Sequence, residues 1–152
     1  MSILGFIFGG IALSAVIGFG LGIYFLSVIP LGRMFQKAGV ESWRAYIPVY
    51  NGYIYAKLVW NENAFWVMLV LGIISGAIDK VFGDGNFLLK LVDAGVSIAL
   101  LVYQAKLALR ASRAYGHDVG YAVGLFFVPT IFWYVIGFGS SEYAGTQQNT
   151  IN

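Results

Sequence analysis

The sequence has no cysteine, one histidine and three prolines, and Asp, Glu, Lys and Arg together make up only 11% of its 152 residues. Without cysteine there are no disulfides, thiolate metal sites or thiol nucleophiles. The lone histidine, His117, argues against a histidine-built metal centre and against a Ser-His triad. The shortage of charge excludes more. Soluble domains carry about 25% charged residues. Here 59% of the chain is hydrophobic and the mean hydropathy is +0.78. A chain of 16.6 kDa cannot hide that much apolar surface, so a water-soluble monomer is excluded. Nine basic against seven acidic residues give a dispersed +2, too weak for a nucleic-acid surface.

What is present is a series of long apolar runs. Residues 3–31 contain no charge and exceed the length needed to cross a hydrocarbon core of about 30 Å. Nothing basic precedes this run and it is too long for a cleaved leader, so it reads as a retained helix ending near Pro30-Leu31-Gly32. A second run, 64–82, is short and relies on Lys80 snorkelling. The third, 87–109, is long enough and contains Asp93 and Lys106. The fourth, 119–138, is expected to cross as one helix kinked at Pro129. The expected fold is therefore a single all-α integral membrane domain over residues 1–152. It has four transmembrane helices, an amphipathic interfacial segment over 33–63 and a polar tail over 140–152.

Basic residues set the expected orientation. Arg33, Lys37, Arg44 and Lys57 follow the first span, and Lys106, Arg110 and Arg113 end the third. Only Lys80 and Lys90 lie on the other side. This places a multi-pass protein in the cell membrane with both basic segments in the cytoplasm and both termini outside.

The segment 33–63 is rich in amphipathic aromatics: Trp43, Tyr46, Tyr50, Tyr53, Tyr55 and Trp60. Such rings favour the membrane–water boundary. Trp43, Tyr46, Ile47, Tyr50, Ile54 and Leu58 draw one helical face, which Pro48 interrupts. Two short interfacial helices joined around Pro48-Val49-Tyr50-Asn51 are expected, with Asn51 capping the second. The segment reads as an anchor between spans, or as a docking surface or re-entrant element.

Ala38-Gly39, Trp43 and Ile47-Pro48-Val49-Tyr50-Asn51 form one set of motifs. Tyr115-Gly116, Gly124-Leu125, Pro129, Ile131-Phe132, Gly137-Phe138-Gly139 and Tyr143 form another. Together, over residues 33–143, they resemble a family of small bacterial and archaeal membrane proteins of unknown function. Similar segments precede the catalytic part of some bacterial signal peptidases. Glu41-Ser42 stands where that pattern has Pro-Gly. The resemblance implies the architecture and carries no catalytic residues with it.

Chemistry is sparse. A signal-peptidase mechanism needs a serine nucleophile and a lysine base at the outer surface. Ser140, Ser141, Lys80 and Lys90 are the candidates there, in short segments with no domain to position them. Phosphate-cradling loops are absent, Gly83-Asp84-Gly85 reading as a tight turn, and no cofactor is expected. Glycines instead lie within spans. Gly10, Ser14, Gly18 and Gly22 form a small-residue stripe on the first helix, and Gly72 with Gly76 and Gly116, Gly120 with Gly124 repeat the spacing. Such stripes let helices approach closely in lipid, inside this bundle or against a partner. Asp93 is the candidate charge at membrane depth, expected to pair with Lys90 near the outer surface, with a structural contact to another helix or a part in ion or proton passage as the alternatives. The expected function is a non-catalytic subunit or scaffold that associates, within the lipid bilayer, with other membrane subunits or with its own copies. A small oligomeric transporter or channel is the alternative, and an enzyme or assembly factor acting on lipid or secreted peptides is the third.

Overall fold

The computed structural model describes residues 3–82 and 87–146, so the Gly83-Asp84-Gly85 turn and residues 147–152 of the tail lie outside the described residues. All regular structure described is helical. The order is α1 (Ile3–Lys37), a 3-10 helix (Ser42–Tyr46), α2 (Tyr50–Val59), α3 (Glu62–Phe82), α4 (Phe87–Ala114), α5 (Val119–Phe127) and α6 (Pro129–Phe138). Two stretches, Leu13–Lys37 and Phe87–Ala114, are long and apolar enough to cross a membrane, and the apolar part of Glu62–Ile78 is shorter. Neither long stretch is the hidden core of a globule: in an apolar 18-residue part of each, 22% of the first and none of the second is buried inside the molecule.

The first helix does not end at Pro30, as expected, but runs on to Lys37. Proline has no N–H to give to the carbonyl four residues back. That carbonyl, Leu26 O, instead accepts the Tyr134 hydroxyl from α6 at 2.7 Å. A neighbouring helix thus satisfies the acceptor that the proline frees, and the helix survives. It ends at Gly39, where φ is +74° and Val40 N–H reaches Phe35 O while Gly39 N–H reaches Gln36 O. The end of α4 repeats this left-handed cap. Gly116 has φ +76°, His117 N–H bonds Ser112 O and Gly116 N–H bonds Arg113 O.

After Gly39 the chain turns back along α1. Ser42 packs on Gly32, and Tyr24 donates its hydroxyl to Tyr46 O at 3.2 Å, more than three turns below Lys37. α2 then returns upward, so that Tyr143 donates to Leu58 O at its far end. Two short helices joined around residues 48–51 are thus present, but Asn51 does not cap the second. The Tyr50 N–H turns onto Pro48 O at 2.8 Å and α2 starts at Tyr50, so that Val49, two residues before Asn51, holds the N-cap position. The Asn51 amide is left to hold the 3-10 helix, donating to Ala45 O at 3.0 Å. Residues 33–37 of the expected interfacial segment belong to α1.

The expected fourth span over 119–138 is not one helix. Pro129 cannot donate and its ring disfavours a helical Val128, which sits at φ −137°, ψ 61°. The chain breaks there and folds back. The bare Cα of Gly124 receives the Phe132 ring, and Tyr121 meets the same ring edge-on at 5.5 Å. In a continuous helix residues 124 and 132 would be about 12 Å apart along the axis. The fold-back returns the chain to its starting level, with His117 Nε2 2.6 Å from Ser141 Oγ and Ala144 N–H donating to Ala114 O at 2.7 Å. α5 packs antiparallel on the last turns of α4, and α6 runs parallel to the last third of α1. At 9 and 10 residues each helix rises about 14–15 Å, half of a hydrocarbon core.

The core gathers at this end. Val28, Leu31, Met34 and Phe35 of α1 meet Ile54, Tyr55 and Val59 of α2, Ala108 and Ala111 of α4, and Tyr115, Leu125 and Ile136. The rest is legs beneath a head. Every residue from Leu13 to Ile23 is exposed, and the outer halves of α3 and α4 pack on one another.

Candidate functional site

The fold-back of α5 and α6 is fastened to α1 and α4 by side chains to which the sequence alone assigns no such contact. Lys37, the last residue of α1, donates its ammonium to Ile136 O at 2.6 Å, Gly139 O at 2.7 Å and Ser141 O at 2.8 Å. These are carbonyls at and just beyond the end of α6, which lack intrahelical partners and carry the negative end of its dipole. The approach requires glycine. A Cβ at Gly137 would lie 2.7 Å from Pro30 O, and one at Gly139 would collide with Val135 O. Gly137 therefore seats α6 on α1, while Gly139 is required by the end of α6 itself. Tyr115, buried to 1% exposure, donates to Met34 O at 2.8 Å and stacks edge-on against Tyr143. Burial pushes the phenols of Tyr115 and Tyr143 up, and that of Tyr55 up to about 12.

Where the two half-helices break, a cavity of about 340 Å³ opens between Tyr55, Met68, Gln104, Leu107, Ala108, Leu125, Phe126, Pro129 and Trp133. Its walls are apolar apart from the Gln104 amide and the Tyr55 hydroxyl, which accepts the Trp133 N–H at 3.4 Å.

His117 and Ser141 form a histidine–hydroxyl pair at the other end of the fold-back, the imidazole stacked on Tyr121 at 3.8 Å. Among the described residues no carboxylate meets its second nitrogen, the group that orients the base in serine hydrolases. The described residues hold no group of three His, Asp or Glu side chains that could bind a metal.

The residues singled out from the sequence fall in three separate places. Gly10, Gly18 and Gly22 lie on the exposed leg of α1, where an added Cβ would meet nothing within 4 Å, and Ser14 is exposed on the same leg. Among the described residues nothing packs on these three glycines, nor on Gly72 and Gly76. Trp43, Pro48, Tyr50 and Asn51 form a knot around the 3-10 helix. There Glu41 accepts from Trp43 Nε1 at 3.0 Å and Arg44 Nε at 3.1 Å, closing the turn that the resemblance expected Pro-Gly to make. Pro48 and Tyr50 also line an aromatic groove with Tyr53, Phe65 and Trp66. Asp93 reaches across to α3, accepting the Ser75 hydroxyl at 2.5 Å, and Lys90 is exposed one turn earlier on α4.

Proline at 129, glycine at 124 and the Gly-x-Gly at 137–139 were the signals of the fold-back, legible only in combination. Lys37 gave none, because nothing local marks a lysine whose partners are about a hundred residues away.

No curated protein and no solved structure is found to match the chain. One family profile does, over residues 43–146, from the 3-10 helix through the fold-back to the tail, with α1 outside the match. The chain belongs to DUF5684, a family of unknown function.

Proposed function

We propose that the protein is a non-catalytic membrane subunit or scaffold that associates with a larger membrane complex or with its own copies through α1. The observation that carries this reading is the leg of α1. From Leu13 to Ile23 it is exposed on every face, with Phe19 at 74% and Val16 at 70%. Gly10, Gly18 and Gly22 leave an open backbone strip that meets nothing within 4 Å among the described residues. Lipid satisfies apolar side chains, whereas a strip of bare backbone gains dispersion contacts only from another helix laid against it. The likeness of residues 38–51 to segments joined to signal peptidases fits a module that serves a partner.

In this reading three helices cross the membrane: α1, α3 and α4. The head, with its fold-back, enters and leaves on the cytoplasmic side, where seven of nine basic residues lie. The N-terminus is then outside and the tail after Phe138 inside, in place of the expected arrangement with both termini outside.

A small oligomeric transporter or channel is the second reading. Paired half-helices ending at mid-depth beside a cavity with a lone amide, Gln104, support it.

The test is purification in mild detergent with size-exclusion chromatography and identification of co-purifying chains. Gly18→Leu is expected to release partner or copies while the protein stays folded, and Ile17→Leu to release nothing. Retention of every partner by folded Gly18→Leu contradicts the scaffold reading.

A further inference from the structure

Beside the fold-back lies a second pocket of different chemistry. Ile29, Gly32, Arg33 and Gln36 of α1, Ser42 and Tyr46 of the 3-10 helix and Phe138 of α6 enclose about 270 Å³. Unlike the apolar cavity at the break, it is lined largely by polar groups that donate hydrogen bonds. Arg33 gives one Nη1 bond to Gln36 Oε1 at 3.4 Å and lies over the Phe138 ring at 5.5 Å. It meets no carboxylate among the described residues, so most of its five donors stay available. Gln36 spends its amide on Ser42 Oγ at 3.2 Å, which leaves the Ser42 hydroxyl hydrogen to donate elsewhere. The Tyr46 hydroxyl has no protein partner among the described residues; only its backbone carbonyl is used, by Tyr24.

The charge around the pocket is positive. Between residues 29 and 46 there are three cations, Arg33, Lys37 and Arg44, and one acid, Glu41, whose carboxylate is held by Arg44 at 3.1 Å. A guanidinium pinned on an aromatic face with two hydroxyl donors beside it matches a tetrahedral oxyanion, which accepts from several directions. The apolar side of the pocket continues without interruption. Ile29 and Phe138 lead onto Phe25, 49% exposed, and down the leg of α1.

We propose that this pocket binds a phosphate group, presented by an anionic lipid headgroup whose acyl chains lie along Phe25 and Ile29, or by free phosphate. Arg33 carries the charge–charge contact, and Ser42 and Tyr46 donate to the remaining oxygens. The site is independent of the partner that α1 meets.

The experiment titrates the full-length protein in dodecyl maltoside by calorimetry with three probes: dioctanoyl phosphatidylglycerol, dioctanoylglycerol and inorganic phosphate. Phosphatidylglycerol is expected to bind and dioctanoylglycerol not to. Arg33→Gln is expected to weaken phosphatidylglycerol at least about tenfold, and Tyr46→Phe about threefold to tenfold. Arg113→Gln, which removes an exposed arginine outside the pocket, is expected to change nothing. Weak inorganic phosphate beside tight phosphatidylglycerol assigns the group to lipid, and equal binding of the two assigns it to free phosphate; either supports the site. Unchanged binding in Arg33→Gln, or an equal loss in Arg113→Gln, overturns it. Should Arg33→Gln not fold, unchanged affinity in Tyr46→Phe overturns it instead, since that variant keeps the ring on Phe25 and loses one hydroxyl.

Discussion

Gly137→Ala isolates the contact that holds the fold-back on α1. The new methyl would lie 2.7 Å from Pro30 O and 3.3 Å from the Arg33 Cβ. The first is backbone in the middle of a helix, so it cannot swing aside as a side-chain tip can. Restoring an ordinary carbon–oxygen separation requires α6 to retreat by about half an ångström or more. That retreat lengthens the bonds from Tyr134 to Leu26 O, 2.7 Å, and from Lys37 to Ile136 O, 2.6 Å. Overpacking of this kind costs about 1–3 kcal/mol, while alanine returns up to about 1 kcal/mol of helix propensity. The expected net loss is about 1–2 kcal/mol, or about 2–8 °C in Tm for a chain of this length. The assay is thermal unfolding in detergent, followed by loss of helical circular dichroism. Gly18→Ala is the reference, because nothing lies within 4 Å of its new methyl, and its Tm should hold or rise. If Gly137→Ala melts at or above the parent, the close approach of α6 to α1 is refuted.

The remaining predictions concern the clasp, the strained turn and the buried phenols. Lys37→Met removes three donors from the end of α6 and should expose the chain beyond Phe138 to protease and hydrogen exchange, with α4 protection unchanged. Val49 is the one described non-glycine residue at positive φ, +68°, and its β-branched side chain makes that conformation costly. Val49→Gly should therefore stabilise by about 1 kcal/mol in the same melt, and a loss would contradict the strain. Burial raises the phenols of Tyr55, to about 12, and Tyr115 above their unfolded values. The folded state then holds these protons where the unfolded chain has lost them. Stability should be flat below about pH 10 and fall from there upward, and Tyr55→Phe should flatten the fall.

How far the sequence could be read follows from which forces are local. The apolar runs placed α1, α3 and α4 within a few residues, because length and hydropathy are properties of the segment itself. The caps at Gly39 and Gly116 were visible as Ala-Gly and Tyr-Gly motifs, although their role as left-handed helix ends was not drawn from them. The misreadings share one cause: each depended on a partner distant in sequence. Pro30 ends a helix unless something takes the Leu26 carbonyl, and Tyr134 does. Residues 119–138 carry no charge, so they suit one crossing helix or two half-helices equally by composition. The choice was made by Gly124 admitting Phe132 and by Lys37 receiving the end of α6. For Asp93 the spacing favoured Lys90 on its own helix and left a contact with another helix open; the Ser75 hydroxyl of α3 supplies such a contact, and no spacing rule on one helix names that partner. The small-residue spacing on α1 is legible in the sequence but names no occupant, and among the described residues nothing lies within 4 Å of a Cβ at Gly10, Gly18 or Gly22.

The central claim is that residues 119–138 enter and leave on one side, so that the tail shares a compartment with the loops after α1 and α4. Single cysteines at Gln36, Lys80 and Glu142, in a chain with none of its own, test it with a membrane-impermeant thiol reagent on intact cells and on opened vesicles. Lys80→Cys should label from outside, whereas Gln36→Cys and Glu142→Cys should both be protected until the membrane is opened. Labelling of Glu142→Cys in intact cells, with Gln36→Cys protected, would make 119–138 a crossing helix and contradict the fold-back.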